Sequence, residues 1–446
     1  MSRDGFVWGA ATAAFQIEGA TRADGRGESI WDRFAASAGK VAHGDTGDPA
    51  CEHYYRWPED LDLMRSLGIQ GYRFSIAWPR IQPAGRGRAN QRGIDFYRQL
   101  VEGLRERGIT PLATLYHWDL PQALQDEGGW AERSIVERFG EYAALVFESL
   151  GDVVSDWITH NEPWVTSFLG YAYGTKAPGL TDWTAALRAA HHSLLAHGAA
   201  VQRFREGGHE GRIGITLDLT VAHPASPTPD DEEAARRLDG FHNRWFLDAT
   251  LRGAYPADMV DLYEQRVGPF DFVAEGDFAL IAQRIDFLGV NFYRPNFAAA
   301  VGDGSILGLR DVDLEYDHTA MGWPIVPAAL TDLLVRLRQD YGDIPLVITE
   351  NGAAFDDELN GDGVVEDEQR VDYLRGHVEA LDRARAEGVD VRGYYVWSLL
   401  DNFEWEHGYG KRFGIVFVDF PTQRRIPKRS ALWYRDLIST RSTARS

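Results

Sequence analysis

Short apolar or β-branched runs alternate along the chain with longer segments whose apolar residues recur every three or four positions. Eight such runs stand out, at residues 6–10, 71–76, 110–116, 154–159, 212–217, 285–290, 346–349 and 393–397. Each has the length and composition of a strand. The segments between them predict helices with one apolar face, as in Ile94, Tyr97, Leu100, Val101 and Leu104, or Ile135, Phe139, Tyr142, Val146 and Leu150. This alternation is the pattern of βα units on a parallel sheet. Pro and Gly fall singly at element ends, and neither a low-complexity tract nor a short repeat interrupts the pattern. One continuous domain over residues 1–446 is therefore expected, although 446 residues at roughly 150 per domain would otherwise suggest three. The predicted class is α/β: a single (β/α)8 TIM barrel with long βα loops, the extra length lying in loops such as 298–322 and 355–365. An open doubly wound sheet is the alternative. It would want a G-x-G-x-x-G turn after the first strand, and that turn is missing.

Composition narrows the function. Apolar residues make up 44% of the chain and aromatic ones 12%, which excludes a disordered chain and assures a large core. Lys and Arg number 46 against 67 Asp and Glu, a net charge of −21, so the summed field repels nucleic acid. Cys51 is the one cysteine, which excludes an intrachain disulfide and a cysteine-based zinc cluster. The apolar start at Phe6-Val7-Trp8 is broken by Gln16 and Glu18, so no export signal is expected. No uncharged stretch approaches the ~20 residues that span a bilayer. A cytoplasmic protein without membrane contact is the expectation, and a homo-oligomer is compatible with it.

In a barrel of this kind the reactive groups follow the apolar runs. Gln16 and Glu18 come after the first strand, and Arg73 lies within the second. The third ends in His117-Trp118 and the fourth in Asn161-Glu162-Pro163. Asn291 and Tyr293 close the sixth, Glu350-Asn351-Gly352 the seventh and Trp397 the eighth, with Glu404-Trp405 beyond. Two glutamates at separate strand ends, amid Trp, His, Asn and Gln, point to chemistry on a sugar. Glycosidic cleavage needs one protonated carboxyl for the departing oxygen and one ionised carboxylate for the oxocarbenium-like centre. Indole faces match the C–H faces of pyranose rings, while amides, imidazole and carboxylates serve the hydroxyls. A buried Arg73 needs an acid beside it, and Glu350 is the candidate.

The chain resembles the β-glucosidases of glycoside hydrolase family one from Phe6 to about Trp433. The resemblance is carried by the opening segment from Phe6-Val7-Trp8-Gly9-Ala10 to Phe15-Gln16-Ile17-Glu18-Gly19, by Tyr72-Arg73-Phe74-Ser75 through Ile81, and by Leu115-Tyr116-His117-Trp118-Asp119-Leu120-Pro121. Asn161-Glu162-Pro163 and Thr349-Glu350-Asn351-Gly352 complete it. It implies a retaining exo-β-glucosidase with Glu162 as general acid/base and Glu350 as nucleophile, the latter supported by Arg73 and Tyr293. It further implies Asn161 at the sugar 2-hydroxyl, Gln16, His117 and Trp118 on the 3-hydroxyl side, and Glu404 with Trp405 at the 4- and 6-hydroxyls. Trp397 becomes the floor, Phe413 a wall near C6, Asn291 a supporting or subsite contact, and Trp323 the aglycone platform, with Trp164, Phe168 and Leu169 at the entrance. The implied partner is a small β-glucoside or oligosaccharide, and no cofactor or metal is expected. An acid at Glu404 argues against 6-phosphorylated sugars. A transglycosylase, or a β-galactosidase or β-fucosidase, is the rival within the same fold. A sugar-binding module is the rival of another class, and it could dispense with either glutamate.

Three features read as structural. His191, His192 and His197 suit helix packing or surface exposure better than a metal site. Residues 356–363 suit a solvated acidic loop better than a calcium loop. Lys411 and Arg412 suit a loop-packing or solvated role.

Overall fold

The computed structural model describes residues 5–302 and 304–443. Its centre is a closed barrel of eight strands, β1 (Val7–Ala11), β2 (Gly71–Ser75), β3 (Thr110–Tyr116), β4 (Asp156–Asn161), β5 (Arg212–Asp218), β6 (Phe287–Asn291), β7 (Leu346–Asn351) and β8 (Val391–Trp397). Every strand pairs in parallel with its neighbours in sequence, and β8 closes on β1 with Ala11 opposite Trp397. The (β/α)8 class expected from the sequence is thus the one observed.

Two apolar layers hold it. Outside the strands, the helix Gln91–Glu106 buries Ile94, Tyr97, Leu100, Val101 and Leu104, and the helix Ile135–Leu150 buries Ile135, Phe139, Tyr142, Val146 and Leu150. These are the two apolar faces that periodicity predicts. Inside the barrel, Leu112, Ile158, Phe287, Val347 and Tyr395 form a separate cluster. Tyr395 fills the lower interior because Gly9 and Gly71 leave room for it. A β-carbon on Gly9 would sit 2.3 Å from the Tyr395 ring, and one on Gly71 2.7 Å from its hydroxyl. The barrel is a packed core and not a pore.

Five of the eight strands end later than the apolar runs do. The fourth run is expected over 154–159, yet β4 is Asp156–Asn161; the sixth and seventh likewise extend into Asn291 and Asn351. Polar residues close these strands because tertiary contacts override propensity: Asn161 and Asn291 meet in the barrel mouth, and Asn351 bonds the hydroxyls of Tyr373 and Tyr394. The long 298–322 segment is not all loop. Asn296–Ala300 and Leu309–Asp311 join Ala222–Pro224 in a three-stranded sheet beyond β5 and β6. A hairpin, Val416–Asp419 with Arg424–Pro427, follows β8.

The acidic segment 356–363 is largely exposed, as expected, with the Asp357 side chain turned inward. The Asp357 side chain is buried between Arg370, at 2.7 Å, and Lys428. Lys428 also pairs with Asp401 at 2.7 Å, and Arg412 reaches the same carboxylate at 2.7 Å. Lys411 donates to the Ala320 carbonyl at 2.6 Å, so both cations of the 411–412 pair serve loop packing. His191, His192 and His197 are all buried on the helix Trp183–Glu206. Among the described residues no group of three metal-ligating side chains converges, and no helix is long and apolar enough to cross a membrane. Cys51 is buried, its thiol against the Asp401 carbonyl at 3.1 Å.

Candidate active site

At the carboxyl ends of the strands two glutamates enter one cleft of about 560 Å³. Glu162 follows β4 directly. Its backbone is left-handed, with φ 51°, and its N–H donates to Thr216 of β5 at 3.0 Å, which turns the side chain into the barrel mouth. The Asn291 amide donates to Glu162 Oε1 at 2.5 Å. Glu350 lies within β7 at a register shift between Ile348 and Glu350. The irregularity re-aims the side chain. Tyr293 donates its hydroxyl proton to Glu350 Oε2 at 2.5 Å, and Arg73 donates to Oε1.

Arg73 is fully buried on β2, which is tolerable only because every face of its guanidinium is used. Besides Glu350 it reaches Asn161 Oδ1 at 2.6 Å, the Thr349 carbonyl at 3.2 Å and Thr114 Oγ1 at 3.3 Å. Asn161 Oδ1 also accepts from Asn291 at 3.0 Å, so its Nδ2 faces His117 Nε2 at 3.1 Å. That assigns the acceptor role to Nε2 and the ring proton to Nδ1, which has no protein partner. Burial, reinforced by Arg73, holds the His117 pKa well below its ordinary value, so the ring is neutral.

The two carboxyls sit in different fields. Burial pushes both upward. At Glu162 the negative charges of Asp218 and Glu350 add to burial, and its pKa is driven well above the ordinary carboxyl range. At Glu350 the rise from burial is opposed by Arg73, Tyr293 and Asn291. When the pair holds one proton, it therefore resides on Glu162, and Glu350 is the anion.

Aromatic rings line the rest of the cleft. Trp118 and Trp405 meet at 4.5 Å between centroids, and His117 stacks near Trp397 at 5.9 Å and near Trp405 at 6.0 Å. Trp118 and Trp405, like Glu162, have left-handed backbones, at φ 75° and 48°. Side-chain-bearing residues adopt that region at a cost, and they do so here at three positions of one site. Tyr293, Trp323 and Phe413 form a second aromatic group, with centroids 5.3–6.2 Å apart. Glu404 is buried beside them in the cleft, and burial pushes its pKa up to about 8 against the pull of Lys176. Gln16 donates to Asn402 Oδ1 at 3.1 Å, the Phe403 carbonyl at 3.0 Å and Glu404 Oε2 at 3.4 Å, while its own Oε1 has no protein partner.

The structure thus brings His117, Trp118, Glu162, Tyr293, Trp323, Glu350, Trp397, Glu404, Trp405 and Phe413 to one surface. Gln16, Arg73, Asn161 and Asn291 are buried in direct contact with it. Of the entrance residues, Trp164 and Leu169 line the cleft, whereas Phe168 is fully buried against Phe241 and Trp183. Sequence reasoning misses Asp218, His242, Lys176 and Glu406, which also line it. Asp218 ends β5 and is found by inspecting the residue after the fifth apolar run. The other three come from segments whose approach to the mouth has no local signal.

Known proteins resemble the chain over nearly its whole length. The model of glycosyl hydrolase family 1 matches residues 1–443. A curated relative, beta-glucosidase A of Acetivibrio thermocellus, is 48% identical over 435 residues, covering 97% of each chain. The solved family 1 β-glucosidase of Exiguobacterium antarcticum superposes with a TM-score of 0.97 at 48% identity over 100% of both chains. The β-glucosidase of Thermotoga maritima in complex with deoxynojirimycin does so with a TM-score of 0.95 at 47% identity, covering 98% of both.

Proposed function

The chain belongs to glycosyl hydrolase family 1, and from that premise we propose that it is a retaining, exo-acting β-glucosidase releasing terminal β-D-glucosyl units from short β-glucosides and cello-oligosaccharides. The observation that carries the proposal is two carboxyls in one cleft with unequal partners: Glu350 accepts from the buried Arg73 guanidinium and from the Tyr293 hydroxyl at 2.5 Å, whereas Glu162 accepts from the neutral Asn291 amide at 2.5 Å.

The Glu350 carboxylate attacks the anomeric carbon while Glu162 gives its proton to the departing aglycone oxygen, leaving a covalent glycosyl-enzyme. Esterification removes the charge of Glu350, so one of the influences that raises Glu162 disappears and its pKa falls. Glu162 then accepts a proton from water as the water attacks the anomeric carbon, and the sugar leaves with its β configuration. Retention calls for carboxyls about 5–5.5 Å apart. Glu162 and Glu350 line the same cleft, which supports a closely spaced pair.

Asn161 serves the 2-hydroxyl, where hydrogen bonding strengthens in the transition state, with Arg73 and Asn291 fixing its amide. His117, Gln16 and Trp118 serve the 3-hydroxyl side, and Glu404 with Trp405 the 4- and 6-hydroxyls. Trp397 lies under the ring, Phe413 stands near C6, and Trp323 faces the aglycone. The burial of Gln16, Glu404 and Trp405 at the glycone side supports attack on terminal sugars. A cytoplasmic place of work belongs to the same reading, and an unpaired buried thiol at Cys51 suits a reducing compartment.

The test is chemical rescue. Glu350→Gly is expected to lose hydrolysis of aryl β-glucosides by several orders of magnitude and, with azide, to yield the α-glucosyl azide. Glu162→Ala is expected to cripple phenyl glucosides far more than dinitrophenyl glucosides and to yield the β-glucosyl azide. Undiminished turnover in Glu350→Gly, or an α product from Glu162→Ala, overturns the proposal.

A further inference from the structure

The mechanism above leaves a contact between an aspartate and a histidine in the cleft unused. Asp218 closes β5, two residues beyond Thr216, whose carbonyl accepts the Glu162 N–H. Residues two apart on a strand face the same way. Across the sheet Asp218 is in register with Asn291, the residue whose amide donates to Glu162. His242 Nε2 meets Asp218 Oδ2 at 3.1 Å, and because a carboxylate only accepts, that nitrogen carries a proton. The imidazole in turn stacks on Trp164, at 4.2 Å between centroids and 29° between planes, and Trp164 lies two residues after Glu162. Glu162, Trp164, Asp218 and His242 all line the same cleft.

We propose, building on the role assigned to Glu162, that Asp218 held by His242 is a positioning residue of the acid/base centre: a fixed negative charge that keeps the proton on Glu162 in the free enzyme and keeps Glu162 basic after Glu350 has been esterified. The second half distinguishes it from Glu350. Both anions raise the proton affinity of Glu162, Asp218 more than Glu350, but glycosylation erases only the charge of Glu350. Asp218 therefore persists through the step in which Glu162 takes the proton of water, where a weaker base would slow attack.

The other groups acting on Glu162 are known. Arg73 of β2 and the Asn291 amide of β6 oppose the effect, and Glu350 of β7 adds to it. His117 of β3 is neutral. On the wall around Asp218, Arg294 and Asp311 pair with each other at 3.1 Å, and Arg310 also lines the cleft. His242 is the group in contact with Asp218 itself. Its orientation by Trp164 fixes where the negative charge stands relative to Glu162.

The experiment is the pH profile of kcat/KM on phenyl β-glucoside, whose leaving group needs a proton. Asp218→Asn keeps shape and removes charge, and is expected to move the alkaline limb to lower pH, with activity at pH 8 about three- to tenfold below that of the parent enzyme. Asp218→Glu is expected to restore the limb. His242→Gln keeps a donor toward Asp218 and is expected to leave it in place. Should Asp218→Asn fold poorly, Asp218→Ser is read in the same way. An alkaline limb unmoved by loss of the carboxylate overturns the proposal, as does an equal displacement by His242→Gln, which would assign the effect to packing on Trp164. Glu162→Ala, run in parallel, separates the two readings. If it abolishes the alkaline limb while Asp218→Asn leaves the limb untouched, Glu162 stands and Asp218 falls; if the limb survives Glu162→Ala, the role of Glu162 itself is wrong.

Discussion

Replacing Arg73 by Met tests whether the nucleophile owes its charge to a buried partner. The substitution is close in length, so the space stays filled. What disappears is a fully buried cation that donates to Glu350 Oε1 and holds Asn161 Oδ1 at 2.6 Å. A hydrogen bond to a charged group contributes about 1.5–3 kcal/mol, and losing one partner of a buried ion pair costs about 3–5 kcal/mol. The proposed transition state still needs Glu350 ionised and Asn161 aimed, so at least one such interaction is lost from it. At 1.36 kcal/mol per factor of ten, kcat/KM should fall at least about tenfold, and about a hundredfold or more if the full cost of a broken buried pair is felt. The sign of the pH effect follows from the same contact. Arg73 opposes the upward push of burial on Glu350, so its removal raises that pKa further. The acid limb of kcat/KM marks protonation of the nucleophile and should therefore move to higher pH. There it approaches the alkaline limb set by Glu162, and the bell narrows and sinks. Arg73→Lys keeps the charge but not the fork that reaches Glu350 and Asn161 together, and should fall between the two. The assay is kcat/KM on 4-nitrophenyl β-glucoside across pH, with circular dichroism confirming the fold. An acid limb that stays in place in Arg73→Met, whatever the loss in rate, would refute the electrostatic argument.

Three further outcomes are expected. Glu404→Gln should lower kcat/KM for aryl glucosides near neutral pH by about two- to tenfold, the worth of one hydrogen bond from a carboxyl that burial keeps largely protonated there, and should affect β-xylosides, which lack the 6-hydroxyl, less; equal losses would move Glu404 away from C6. Lys428→Met removes the ammonium shared by Asp357 and Asp401 and should cost about 3 kcal/mol in denaturant unfolding, and a loss below about 1 kcal/mol would mean that Arg370 and Arg412 suffice. Gly352→Ala would bring a β-carbon within 1.6 Å of the Trp397 carbonyl, so it should displace the tryptophan under the sugar and reduce activity at least tenfold, read against its melting temperature.

The barrel was legible because each strand is buried on both faces and each helix on one, which writes two different periods into the chain. The reading fails at the strand ends. His160 and Asn161 look like loop residues, yet they complete β4, since their partners come from β3 and β5. Glu162 and Glu350 were legible through the residues around them, because a strand end followed by Asn-Glu-Pro or Glu-Asn-Gly is specific. His242 was not, because nothing in Gly240–Arg244 says that the segment folds back over Asp218. The small sheet that contains Asn296–Ala300 and Leu309–Asp311 was likewise hidden, its strands being too short and too mixed to carry a period.

The left-handed backbones of Trp118, Glu162 and Trp405 carry a consequence for how this enzyme fails. Each costs about 1–3 kcal/mol and relaxes once its surroundings loosen, whereas the strands beneath are secured by pairing on both edges. The mouth should therefore give way first. On gentle warming, turnover should vanish while the far-ultraviolet spectrum still reports every helix in place, and cooling from that point should return the lost catalysis without any refolding of the chain.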